Sequence, residues 1–255
     1  MIAELCDSSW VGRPTGPATS KLFHTWVNKY KSNVSLQTQR FSYLKDGNKI
    51  FAKNFLLSSK KNAVSHLYII AHYDHLGSGG IKSKEVNKTC IHPGADDNAS
   101  GVALALMLFD SLQKNFAYLQ PTIVYTSGHE DGMYGSKALA KLISNKLYPY
   151  TWIINLDMVG RLDTISKKIR VETNILWPDV MTDNIMPSVQ QIHSVGEHSA
   201  FLQNNLWVTF ITTGSHNDYH RCTDTPDKIN IEGIENLRNY LIAVIAQKIQ
   251  TVKQE

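Results

Sequence analysis

"HLYIIAHYDHLG", residues 66–77, sets five apolar residues between two histidines and then breaks into polar groups and a glycine. No polar residue alternates with the apolar ones, so the segment reads as a strand buried on both faces. Such a strand needs helices above and below it, and the flanking sequence supplies them. Residues 98–114, "NASGVALALMLFDSLQK", read as a buried helix with Asn98 or Ser100 near its start. "PTIVYTS" (121–127) follows as a strand, "GSKALAKLISNKL" (135–147) as a helix and "YTWIINLD" (150–157) as a strand. "KIRVET" (168–173) and "LWVTFITT" (206–213) are further strands, and residues 187–205 are helical or irregular. A closing helix over 231–250 carries Ile231, Ile234, Leu237, Leu241, Val244 and Ile245 as its core stripe.

Upstream, residues 18–31 place Leu22, Phe23, Trp26, Val27 and Tyr30 on one helical face. "SLQTQRFSYL" (35–44) and "NKIFAKNFLL" (48–57) flank the turn signal "KDG", which predicts a hairpin. Strands alternating with helices predict one α/β domain over 1–255. Its central sheet is mixed but mostly parallel, with helices on both faces and the hairpin as an antiparallel edge.

Composition narrows the function. The 255 residues are 42% hydrophobic and 19% charged, which suits one sizeable core. No apolar run reaches the roughly eighteen residues that span a bilayer, so no membrane partner is expected. The net charge of +4 comes from scattered Lys and Arg, with small clusters (Lys60–Lys61, Lys82 to Lys88, Lys167 to Arg170) in expected turns. That pattern predicts a solvated face rather than a nucleic-acid surface. The five tryptophans are expected in the core. Cys6, Cys90 and Cys222 are odd in number and widely spaced, offer no disulfide framework and favour a reducing compartment. The first ten residues lack the pattern of a signal peptide, so a cytoplasmic protein is expected, or an exported one whose leader has been removed. No GxSxG, HExxH, P-loop or GxGxxG pattern is present.

In open α/β sheets ligands bind beyond the carboxyl ends of the strands. Here those ends carry His72, Asp74 and His75, then His129, Glu130 and Asp131, then Asp157, then His216, Asp218 and His220, while Asp96 and Asp97 precede a helix. A single His or Asp after a strand is ordinary turn chemistry. Five such places in one chain are not, and carboxylates gathered together repel unless cations neutralise them. Mixed imidazole and carboxylate donors suit zinc, with cobalt or manganese as substitutes. There are more donors than one tetrahedral ion takes, which points to two ions sharing a carboxylate.

Together "AHYDHLG" (71–77), "GADDNASG" (94–101), "GHEDGMYGS" (128–136), "NLDMVGR" (155–161) and "GSHNDYHRCTDTPDKI" (214–229) resemble the co-catalytic zinc aminopeptidases of peptidase family M28, in the family's order. The opening "SSWVGRPTGPATSKLF" (8–23) also resembles the family's start. The resemblance implies a two-zinc exopeptidase that removes the N-terminal residue of a peptide or aminoacyl substrate. It places His72 and Asp157 on one ion, Glu130 and His220 on the other, and Asp96 between them, with a cis peptide at Asp96–Asp97. Asp74 then accepts the second ring N–H of His72, and Asp97, His75, Asp218 and Asp224 support the ligands.

One position departs. The family usually has two acidic residues where this chain has His129–Glu130, and the first of them is the general base. His129 is therefore the candidate base, with metal ligation or loss of activity as alternatives, and Asp131 is a weaker substitute. Two other functions stay open: a glutaminyl-cyclase-like acyltransferase using one zinc, and a non-catalytic module of the same fold.

Overall fold

The computed structural model of the chain describes residues 1–30, 34–59, 65–85, 90–144, 150–193 and 195–252. The Lys60–Lys61 cluster, Lys88 and the end of the helix expected to reach residue 147 lie outside these residues. In chain order the elements are α1 (Ile2–Leu5), α2 (Pro17–Asn28), β1 (Val34–Lys45), β2 (Asn48–Ser59), β3 (Ser65–His72), α3 (Gly101–Asn115), β4 (Leu119–Thr126), α4 (Tyr134–Ser144), β5 (Tyr150–Leu156), β6 (Lys168–Thr173), β7 (Met186–Gln191), α5 (His198–Leu202), β8 (Trp207–Thr212) and α6 (Ile231–Val252).

The eight strands form one sheet in the order β1-β2-β4-β3-β5-β8-β6-β7. Pairing is parallel from β4 through β3 and β5 to β8 and again between β6 and β7, and antiparallel elsewhere. The quoted stretch is the central strand. Its Leu67, Ile69 and Ala71 belong to one core layer, and Tyr68 and Ile70 to the other. The first layer packs under α2, α3 and α6 and the second under α4 and α5. Ile69 and Ile70 are fully buried, and each such side chain contributes about 1.5–3 kcal/mol through loss of apolar surface from water. β4 and β5 lie on opposite sides of β3, so the chain reverses its direction of travel across the sheet there. The crevice beyond the carboxyl end of β3 is the topological switch point.

Four sequence expectations differ from the structure, the first being that Trp207, expected in the core, is 38% exposed. Residues 187–205 divide into the parallel edge strand β7 and the short α5, because Pro187 and the glutamines hide a strand whose residues are mostly solvated. Ile231 begins α6 and is 57% exposed, whereas the rest of its expected stripe is buried. Leu22 likewise turns outward at 40% exposure, while Phe23, Trp26 and Val27 of α2 enter the core.

Candidate metal centre

Each strand end delivers its polar groups to the switch point. His72 is the last residue of β3, and its Nδ1 donates to the main-chain oxygen of Asp74 at 3.1 Å. That bond commits Nε2 to the crevice, where it lies 3.3 Å from Asp97 Oδ1 and 3.5 Å from Asp157 Oδ1. The expected tie between Asp74 and His72 thus exists, but through the backbone. The buried Asp74 carboxylate accepts the main-chain N–H groups of His129 and Glu130, each at 3.2 Å, and the Thr15 hydroxyl at 2.9 Å. Asp74 therefore fixes the turn that carries the His129–Glu130 pair.

The second group of donors faces the first. Glu130 Oε1 lies 3.2 Å from His75 Nδ1 and 3.5 Å from His220 Nε2. His220 Nε2 is also 3.3 Å from Asp97 Oδ2. Its Nδ1 donates to the Lys82 carbonyl at 3.0 Å, which sets the tautomer as the Asp74 carbonyl does for His72. Lys82 Nζ stands 3.7 Å from Glu130 Oε2.

The carboxylate shared by both groups is Asp97, one residue beyond the expected Asp96. Asp96 accepts the Gly160 N–H at 2.6 Å and the Ser100 hydroxyl at 2.9 Å, and faces His216 Nε2 at 3.1 Å. It is a buried brace between the loop and neighbouring segments. The cis peptide is likewise displaced by one residue, to Asp97–Asn98. "GADDNASG" offers two adjacent aspartates, and motif spacing alone does not say which one faces the crevice. The surroundings decide it. Asp224 Oδ2 accepts the N–H groups of both Asp96 and Asp97, at 2.9 and 3.1 Å, and Asn98 Oδ1 caps α3 by accepting the Gly101 N–H at 3.1 Å.

Sequence reasoning overlooked Arg13, which is 1% exposed. Its guanidinium donates to the carbonyls of Leu5, Tyr73, Pro93 and Gly94 at 2.6–3.0 Å, with Asp97 O at 3.5 Å. A charged fork with five donors can hold several carbonyls at once. Gly94 makes this approach possible. Its φ is +60°, and a Cβ there would lie 2.3 Å from Asp97 O and 2.7 Å from the Arg13 guanidinium.

The electrostatics are those of a cation site. Burial alone would depress the His72 imidazolium, but Asp157 and Asp97 outweigh it and hold the pKa well above the ordinary value. For His220 burial is again outweighed, by Asp97 and Glu130, and its pKa is pushed up to about 9. Burial would raise the Asp97 pKa, yet His75, His220 and His72 draw it well below the usual carboxylate range. Burial and the Asp97 charge likewise oppose ionisation of Glu130, and His220 and His75 prevail. His72 Nε2, both ring nitrogens of His75, Asp97 Oδ2 and Glu130 Oε1 are buried without a hydrogen-bond partner. Buried polar atoms left this way are costly. Nitrogen and oxygen donors converging at 3.2–3.8 Å match the edges of ion polyhedra with bonds near ~2.0–2.2 Å. The residues fit divalent ions.

His129 stacks on His72 with ring centroids 3.7 Å apart and planes within 9°. Its side chain is 18% exposed, and His72, His129 and Asp157 each offer one ligand atom within 4.8 Å of the others. Asp131, the weaker candidate for base, is occupied by the Tyr43 hydroxyl and the Lys45 ammonium.

The cysteines also correct the sequence reading. Cys90 and Cys222 form a disulfide across 132 residues, which no spacing rule pairs, and only Cys6 is free. The bridge removes the basis for expecting a reducing compartment. It joins the segment that carries Lys82 to the loop that carries His220. The Cys222 N–H donates to Glu85 Oε1 at 2.9 Å and the Lys84 N–H to His220 O at 3.0 Å.

The chain is similar to known proteins in both sequence and fold. A probable zinc metalloprotease of Pyrenophora tritici-repentis is 44% identical over 72 residues, which are 27% of this chain and 16% of that protein. The match thus spans about a sixth of that relative's length. A Bacteroides thetaiotaomicron glutaminyl cyclase bound to N-acetylhistamine superposes with a TM-score of 0.77 at 14% identity, over 96% of this chain and 93% of its own. A leucine aminopeptidase precursor from the same species superposes with the same TM-score, identity and coverage. These two show the fold. The family model described as peptidase family M28 matches residues 54–245, a span that holds every titratable group facing Asp97. The chain belongs to peptidase family M28.

Proposed function

We propose that this chain is a zinc-dependent exopeptidase that removes the N-terminal residue of peptides at a two-ion centre. His72, Asp97 and Asp157 would hold one ion and Glu130, His220 and Asp97 the other, with His75 beside the second group. One observation carries the reading: Asp97 lies 3.3 Å from both His72 Nε2 and His220 Nε2 through its two different oxygens. Zinc ions held there would polarise a scissile carbonyl and lower the pKa of water.

The chain's own residues supply the rest. Asp157 is 17% exposed, against 3% for Asp97 and 6% for Glu130, so it is the acidic ligand that can receive a substrate ammonium. Asp74 holds His129 and Glu130 in register. His129 takes a proton from the attacking water and returns one to the leaving amine.

The test is metal content per chain, measured together with hydrolysis of a panel of aminoacyl p-nitroanilides and cyclisation of an N-terminal glutamine peptide. Two zinc ions and aminoacyl cleavage support the proposal. One ion with glutamine cyclisation would replace it with the acyltransferase reading, and a metal-free, inert protein would leave only a scaffold.

A further inference from the structure

Behind His129 lies a carboxylate that the reaction outlined above does not use. Glu197 sits at the start of α5 and is fully buried. Its Oε1 accepts the Thr126 hydroxyl at 2.7 Å, and its Oε2 has no hydrogen-bond partner. His129 Nδ1 is also buried without a partner and faces Glu197 Oε1 at 4.0 Å. A buried ring nitrogen without a partner thus faces a buried carboxylate that has one accepting oxygen still unused, across a gap about 1 Å longer than a hydrogen bond. Contacts of this kind tighten when a site is loaded.

An imidazole in the base position raises a requirement that a carboxylate there does not have. Only one of its two neutral tautomers presents a lone pair to the crevice. Burial raises the Glu197 pKa while His129, His72 and the Thr126 hydroxyl pull it down; ionised, the carboxylate only accepts hydrogen bonds, and a ring nitrogen facing it then carries the proton. The lone pair is then left on Nε2. Thr126 pins Glu197, and stacking on His72 limits rotation of the His129 ring.

We infer that Glu197 is the positioning residue that holds His129 as its Nδ1–H tautomer, an inference that rests on the exopeptidase reading above. The direct test is long-range proton–nitrogen correlation on zinc-loaded protein labelled with nitrogen-15 histidine, the His129 signals being assigned by their loss in His129→Gln. The expected result is a neutral ring protonated at Nδ1. Glu197→Ala should mix or invert the tautomers, whereas Glu197→Gln should retain the wild-type form, because its amide oxygen still accepts. On the best aminoacyl substrate Glu197→Ala should lower kcat by about 10–100-fold, with KM and zinc content little changed and Glu197→Gln restoring most of the loss. A wild-type ring protonated at Nε2, or a Glu197→Ala spectrum identical to wild type, would overturn the inference. The wild-type reading does not depend on any Glu197 variant folding. It can also be read in a protein that cleaves no peptide, so failure here is distinct from failure of the exopeptidase reading.

Discussion

Asp96 and Asp97 adjoin in the chain, yet their carboxylates engage different groups: Asp96 the Gly160 N–H, Ser100 and His216, and Asp97 the imidazoles of His72, His75 and His220. One braces the loop and the other faces the crevice. The two therefore predict different failures.

Asp97→Asn should abolish stoichiometric zinc binding at both positions. Asp96→Asn should keep both ions and lose about 1–3 kcal/mol of stability, the cost of disturbing buried hydrogen bonds. Elemental analysis and thermal unfolding of the two variants separate them. Equal loss of zinc in both would refute the assignment of Asp97 as the shared ligand.

The strand ends were legible in sequence because chemistry and topology agree there. An apolar run that stops at His72, another that stops before His129 and a third that stops at Asp157 all deliver donors to one edge of a parallel sheet. The Asp96–Asp97 register was not legible, because adjacent residues of one type in a loop carry no periodicity to orient them. Arg13, Glu197 and the Cys90–Cys222 bridge stayed hidden for another reason. Each acts across 60 or more residues, Arg13 on Tyr73, Glu197 on Thr126 and Cys90 on Cys222, and only the fold brings the partners together. The β7 edge strand was missed because a solvated strand lacks the apolar pattern that marks a buried one.

Metal loading should release protons. In the metal-free protein the His220 pKa is pushed up to about 9, burial being outweighed by Asp97 and Glu130, so at neutral pH an incoming ion must displace its proton. Zinc affinity should therefore rise with pH up to about 9. The sign for stability is opposite. A histidine pKa raised on folding stabilises most below its unfolded value near ~6.5, and that contribution is lost as pH rises through about 9. Metal-free protein should lose up to about 3 kcal/mol over this interval, and zinc-loaded protein should not. Calorimetric titrations in buffers of different ionisation enthalpy count the protons. No proton release at pH 7 would refute the scheme.

Reduction of Cys90–Cys222 should act on the centre through the His220 loop. A bridge closing 132 residues restrains the unfolded chain by about 4–5 kcal/mol in the chain-entropy account. The Cys222 N–H and the His220 carbonyl both bond to residues of the bridged segment. A Cys90→Ser and Cys222→Ser double variant should unfold at lower temperature and bind its second zinc more weakly. Unchanged zinc affinity alongside the lower Tm would show that the bridge stabilises the fold without ordering the ligand.

His129 provides the sharpest separation of roles. Its backbone N–H is held by Asp74, so a side-chain substitution leaves the turn and Glu130 in place. If the ring is the base, His129→Ala should lower kcat by about 10²–10⁴-fold with zinc content unchanged, the usual cost of losing a general base. His129→Glu should keep or raise activity, because it restores the acidic pair seen in the family. The alternative comes from the ring's position against His72 and Asp157. If His129 is a ligand, the Ala variant loses zinc and activity together. Zinc content measured on the same preparation as the kinetics therefore decides between base and ligand. An Ala variant as fast as wild type, with zinc intact, would exclude both roles.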